Sequence, residues 1–174
     1  MHLHPASFKD PSGFLFSSNG VLYRQVHRSY AHHYDKLIGS GLYENLVSRG
    51  WLIKHEEVPA DLPVFPETYK TLRPERLSMI TYPYEWCFVQ LQQAAIRTLD
   101  IMRTALDHGM ILKDASAYNI QFRNGQAVLI DTLSFEEYDS TLPFKLKSNL
   151  ATFVRLQRLP HTLWHDNLPL AGHQ

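Results

Sequence analysis

Residues 110–135 carry the pattern that most restricts what this chain can fold into. An acid follows a helical stretch, an amide comes five positions later, and a second acid is returned by a hairpin. These residues are Asp114, Asn119 and Asp131. Between the last two lies Arg123-Asn124-Gly125, a turn signature, because Asn and Gly tolerate the positive φ of a tight hairpin. Residues 120–122 and 127–130 are predicted to be its arms. The spacing alone is weak, since Asp and Asn cap turns in every fold. The joint order of helix, polar loop, hairpin and acid is what constrains the fold.

Upstream, residues 87–108 are the most helical stretch, with an apolar stripe of Leu91, Ala95, Leu99, Met102 and Leu106 ended by Gly109. Residues 14–17 and 21–26 flank Ser18-Asn19-Gly20 and predict a first hairpin. From 30 to 47 the period becomes helical, through Tyr34, Leu37, Ile38, Leu42, Leu46 and Val47. Gly39 and Gly41 each weaken that helix by about 1 kcal/mol relative to Ala, and Arg49-Gly50 ends it. Residues 51–58 read as a strand, 59–75 with four prolines as a loop, and 77–82 as a buried strand.

In a kinase-like fold this order brings three oxygen-bearing side chains to the phosphates of a nucleotide. The first Asp orients the proton of an attacking hydroxyl, while the Asn and second Asp hold magnesium. The stretches at 112–122 and 128–135 resemble the catalytic segment of aminoglycoside- and choline-kinase-like phosphotransferases. More closely, DPSGFLF, GVLYRQV, SGLYENL, YPYEWCF and LKDASAYNIQF resemble, over residues 7–138, the N-terminal part of a bacterial family described as SAM-dependent methyltransferases, some of them nodulation-related. The resemblance implies an α+β protein-kinase-like fold. Its reduced N-terminal lobe (about 7–82) is a small antiparallel sheet plus helix, and its larger lobe (about 86–138) is mainly helical. It also implies Asp114 as base, Lys113 as a phosphate or substrate contact, Asn119 and Asp131 as magnesium ligands, and ATP as cofactor. A separate methyltransferase domain is the implied partner.

The chain departs from a working kinase at several points. Leu112 stands where the catalytic loop usually has His, Ser116 where protein kinases have Lys, and Thr132-Leu133 where Phe-Gly follows the metal-binding Asp. No glycine-rich phosphate loop precedes the first hairpin. The strand Lys is missing; Arg24 is the nearest basic residue, with Glu44 twenty positions on as its expected helix partner. A guanidinium does not substitute freely for an ammonium. Tyr84 and Glu85, in Tyr82-Pro83-Tyr84-Glu85-Trp86, would lie at the hinge, lining an adenine pocket or simply packing the lobe junction. No G-x-G turn of a SAM site occurs, so SAM is not expected on this chain. Residues 139–174 read as a diverged or truncated tail.

Equal numbers of basic and acidic residues, 17 each, leave no electrostatic footprint for nucleic acid or an anionic membrane. No run of about 18 apolar residues suggests a membrane span, and 1–14 lack a signal-peptide core. A soluble, cytoplasmic protein is the expectation. Cys87, the one cysteine, rules out an intrachain disulfide and reads as a buried apolar thiol rather than a nucleophile. His2, His4 and His32-His33 do not make a metal site. Glu136 and Glu137 read as solvated, and Ser116 lacks the His that a hydrolase would need. The expected function is a kinase-like module that binds a nucleotide or substrate, or supports a methyltransferase. The alternative is an active magnesium-dependent phosphotransferase acting on a small molecule.

Overall fold

Asn19 and Gly20, at φ 51 and 77, close the first predicted hairpin, between β2 (Gly13–Ser18) and β3 (Val21–His27). The computed structural model describes residues 2–3, 10–58, 66–139 and 141. With β1 (His2–Leu3), β4 (His55–Val58) and β5 (Thr68–Pro74), this hairpin builds an antiparallel sheet in the order β1-β2-β3-β5-β4. The expected α+β class is borne out: a small antiparallel sheet with helices, followed by a long helix and paired short strands.

Two readings from the prolines and apolar runs are corrected. Part of the expected loop is β5, which sits between β3 and β4. Thr71 and Leu72 are buried, and Pro74 is the last residue of the strand, paired with His55. The expected buried strand at 77–82 is irregular instead, with Met79 69% and Ile80 55% exposed. An apolar run without alternation does not identify a strand.

The helical stretch after β3 is divided. α1 (Ala31–Gly39) and α2 (Leu42–Ser48) are separated at Gly41, whose φ is 78. Tyr34, Leu37, Leu42 and Leu46 of the predicted face are buried, whereas Ile38 is exposed. The strand expected over 51–58 begins only at His55. Before it, Ile53 N–H donates to Leu129 O at 2.8 Å and Leu129 N–H to Trp51 O at 2.8 Å. That short parallel bridge joins the first part of the chain to the second hairpin, β7 (Ile120–Arg123) and β8 (Gln126–Leu129).

α3 (Phe88–Asp107) lies close to its predicted limits. Gln90 Oε1 accepts the N–H of Cys87 at 3.0 Å and so satisfies one of the free donors at the helix start. The buried face runs through Ala94, Ala95, Thr98, Ile101, Met102 and Ala105; Leu106 of the predicted stripe is 37% exposed. Cys87 is exposed rather than a buried thiol. β6 (Met110–Leu112) pairs with β9 (Phe135–Glu137) and, with the second hairpin, covers α3. A second apolar cluster, Val26, Tyr30, Tyr34, Leu72 and Leu133, fills the space under the sheet.

A polar chain threads this second region. Tyr34 Oη donates to Glu57 Oε1 at 3.0 Å and lies 3.1 Å from His55 Nε2, while Thr132 Oγ1 is 3.5 Å from His55 Nδ1. This arrangement suits a neutral imidazole, and burial pushes the His55 pKa down to about 4, against the opposing pull of Glu57. The unfolded imidazole takes its proton near pH 6.5, so the stabilisation is complete above that pH and is lost as pH falls towards 4. Lowering pH from 7 to 5 is expected to cost about 2 kcal/mol through this residue alone. Denaturant unfolding of the protein and of His55→Asn at both values checks it. Equal pH dependence in the two would show that His55 is not the group responsible.

Candidate functional site

Asp114, Asn119 and Asp131 are positioned by the elements that the sequence pattern required. β6 ends at Leu112, and Lys113 N–H donates to Ser134 O at 2.7 Å, which begins the polar loop. Asp114 Oδ1 accepts the N–H of Ser116 at 3.1 Å, and Ser116 Oγ that of Tyr118 at 3.3 Å. These are the local side-chain turns that short polar residues favour. Asn119 O accepts Ile130 N–H at 2.8 Å, so the hairpin returns Asp131 directly beside the loop.

Ser134, fully buried, draws the last two residues together. Its hydroxyl donates to Asp131 Oδ2 at 2.8 Å and receives the Asn119 side-chain N–H at 3.3 Å. Asp131 Oδ1 accepts Leu133 N–H at 3.1 Å. The same oxygen lies 2.9 Å from the Arg24 guanidinium, which also reaches Asp10 Oδ2 at 3.0 Å. The Arg24 side chain is 13% exposed, and its buried Nε has no partner among the described residues. Arg24 is therefore at the site, but its partners are Asp131 and Asp10 rather than Glu44. The latter is exposed in the first turn of α2. The twenty-residue spacing pointed to a helix carboxylate, whereas the nearest one belongs to the hairpin end.

Lys113 is also at the site. Its Nζ donates to Ser12 Oγ at 2.5 Å and lies 4.6 Å above the Tyr30 ring. Tyr30 Oη in turn donates to Phe135 O, and burial together with the Asp131 charge pushes its pKa well up. Asp10, Ser12, Tyr30 and Ser134 were not among the predicted residues. The signal for the first two was present in Asp10-Pro11-Ser12-Gly13, a turn-forming run. Asp10 Oδ1 accepts Ser12 N–H at 2.9 Å, Pro11 O accepts from Ser29 Oγ at 3.1 Å, and Ser12 O from His27 N–H at 2.9 Å. This segment bridges the sheet and the polar loop.

Tyr84 and Glu85 lie in the turn before α3. Glu85 Oε2 accepts Tyr82 N–H at 2.6 Å, and Tyr84, 76% exposed, stacks on Tyr82 with ring centroids 5.5 Å apart. The packed member of this segment is Trp86, buried edge-on against Phe122. Glu137 is engaged by Lys36 and His32, which hold its carboxyl down to about 2. His32 and His33 thus tie α1 to β9.

Magnesium requires a set of oxygen ligands at close to octahedral geometry. The expected pair, Asn119 and Asp131, lies beside a cation already in place, Arg24. Asp131 Oδ1 is held by the Arg24 guanidinium and Oδ2 by the Ser134 hydroxyl, while Asn119 gives its amide N–H to Ser134, a bond that does not use its carbonyl oxygen. A divalent ion on Asp131 Oδ1 would have to displace Arg24 against like-charge repulsion. Among the described residues, no group of three His, Cys, Asp or Glu side chains is arranged to hold a metal ion. No helix among them is long and apolar enough to cross a membrane.

No protein-family model matches the chain. It is 34% identical over 134 residues to the nodulation protein NoeA of Rhizobium meliloti (strain 1021), a match covering 76% of this chain and 28% of that protein. The chain therefore spans less than a third of this relative's length. Among solved structures, vaccinia related kinase 3 is similar at 13% identity and a TM-score of 0.49, over 85% of this chain and 52% of that one.

Proposed function

We propose that this chain is a kinase-shaped binding or supporting module that does not transfer phosphate. The observation that carries the reading is the ion pair of Arg24 with Asp131 at 2.9 Å. In a phosphotransferase the strand cation pairs with phosphates and a helix Glu, leaving the second Asp for metal. Here the strand cation neutralises that Asp directly, and Asp10 completes the pairing. Asp114, Asn119 and Lys113 then act as turn, hydrogen-bond and bridging residues that hold the polar loop. The similarity to a nodulation protein of which this chain spans 28% supports a role beside further polypeptide. A methyltransferase region is the partner that the sequence resemblance suggests.

Calorimetry with ATP and magnesium tests this reading, with Asp131→Ala as control. The expected result is no magnesium-dependent heat of binding at millimolar ATP, corresponding to an affinity weaker than about 4 kcal/mol. Magnesium-dependent binding that disappears in Asp131→Ala, accompanied by release or transfer of the ATP γ-phosphate, would overturn the proposal and establish a working phosphotransferase site.

A further inference from the structure

A cavity of about 410 Å³ opens where the start of β3 meets the start of β4 and the end of β5. Its size falls within the range of small-molecule sites, roughly 300–1,000 Å³. Arg24, Asp114, Asn119 and Asp131 do not line it, so it is separate from the site described above.

Its walls differ in chemistry. Val21 and Leu22 supply an apolar surface and are 37% and 38% exposed. Exposed apolar area of this kind favours contact with a hydrocarbon or an aromatic body. The charged lining comprises Lys54, Arg73 and Arg76 against Glu56 and Glu75. Both carboxylates are already engaged: Glu56 by Arg73 at 2.5 Å, and Glu75 by Arg123 at 2.8 Å. Lys54 and Arg76 have no ion-pair partner among the described residues. Glu75 N–H donates to Lys54 O at 2.7 Å, so the segments that carry these two cations, just before β4 and just after β5, are tied to each other. The cavity thus combines apolar surface with two cations outside any ion pair, Lys54 lying within electrostatic reach of Glu56.

We propose that this cavity binds a small phosphate monoester with an apolar or aromatic body. The body would lie on Val21 and Leu22 and the dianion between Lys54 and Arg76. A guanidinium and an ammonium suit a phosphate, the first by its fork of donors and the second as a point charge.

Phenyl phosphate, phenol and inorganic phosphate are the probes, titrated without metal and followed by calorimetry and amide NMR shifts. Phenyl phosphate is expected to bind saturably and to shift amides of residues 20–22, 54–56 and 73–76. Phenol and inorganic phosphate, each carrying half of the chemistry, are expected to bind more weakly. Lys54→Gln with Arg76→Gln should weaken phenyl phosphate about tenfold or more, near 1.4 kcal/mol. Both are surface positions, and unchanged amide spectra elsewhere would confirm an intact fold. No saturable binding up to about 10 mM would overturn the proposal. So would equal binding of phenol, or an affinity indifferent to the double substitution. Tighter binding in Asp131→Asn, in which Arg24 loses its nearer carboxylate, would place the anion at Arg24 instead, which contradicts this inference.

Discussion

Gly13→Ala is expected to destabilise the protein by about 3–5 kcal/mol, among the largest effects a single methyl group can have. A Cβ at this position would lie 1.9 Å from the carbonyl oxygen of Gln25 and 2.8 Å from Leu133 Cδ1. The first contact is with backbone of the neighbouring strand, so no rotamer change relieves it. Gly13 pairs with Val26 at the end of the β2–β3 ladder, directly after the segment that carries Asp10 and Ser12. Relief therefore requires β2 to separate from β3, which disturbs the Arg24–Asp10 and Lys113–Ser12 contacts together. For a chain of this size, each kcal/mol lowers the melting temperature by about 2–4 °C, so a fall near 10 °C is the readout. Gly125→Ala is the control. Its φ is 76 and nothing lies within 4 Å of the added carbon, so it is expected to lose only about 1 kcal/mol through backbone strain. A Gly13→Ala protein as stable as the Gly125→Ala one would show that β2 is not held this tightly.

The parts legible in the sequence were those fixed by local chemistry. Both Asn-Gly hairpins form where the turn residues placed them, and α3 begins and ends within a residue of its predicted limits. The return of Asp131 to the polar loop followed from the second hairpin alone. Elements decided by tertiary neighbours were misread. β5 holds two prolines' worth of loop signal nearby, yet its Thr71 and Leu72 are buried because β3 and β4 flank it on either side. Residues 77–82 are apolar but lack neighbouring strands, so Met79 and Ile80 remain at the surface. The placement of Arg24 on the second arm of the first hairpin was legible; its partner was not. Sequence separation cannot rank Glu44 against Asp131 and Asp10, because the choice depends on which carboxylate the folded hairpin and turn bring within 3.0 Å.

That choice of partner leads to the second large effect. Arg24→Ala is expected to cost about 3 kcal/mol, since it leaves two carboxylates without their shared cation. The Asp131 side chain is only 16% exposed and that of Asp10 28%, so water compensates only part of the loss. Asp131→Asn removes one charge but leaves Arg24 its contact with Asp10, and its expected cost is smaller, about 1–2 kcal/mol. The combination Arg24→Ala with Asp131→Asn removes the cation together with its nearer anion. It should be more stable than the sum of the single effects predicts, by a coupling of about 1–2 kcal/mol. Urea unfolding of the four proteins at pH 7 measures that coupling directly. Additive losses would mean that the 2.9 Å contact carries little energy, leaving Asp131 free for a metal and reviving phosphate transfer. A large coupling would mean that a magnesium ion has to displace an energetically significant guanidinium before it can reach Asp131, which is the outcome that the proposed binding or supporting role requires.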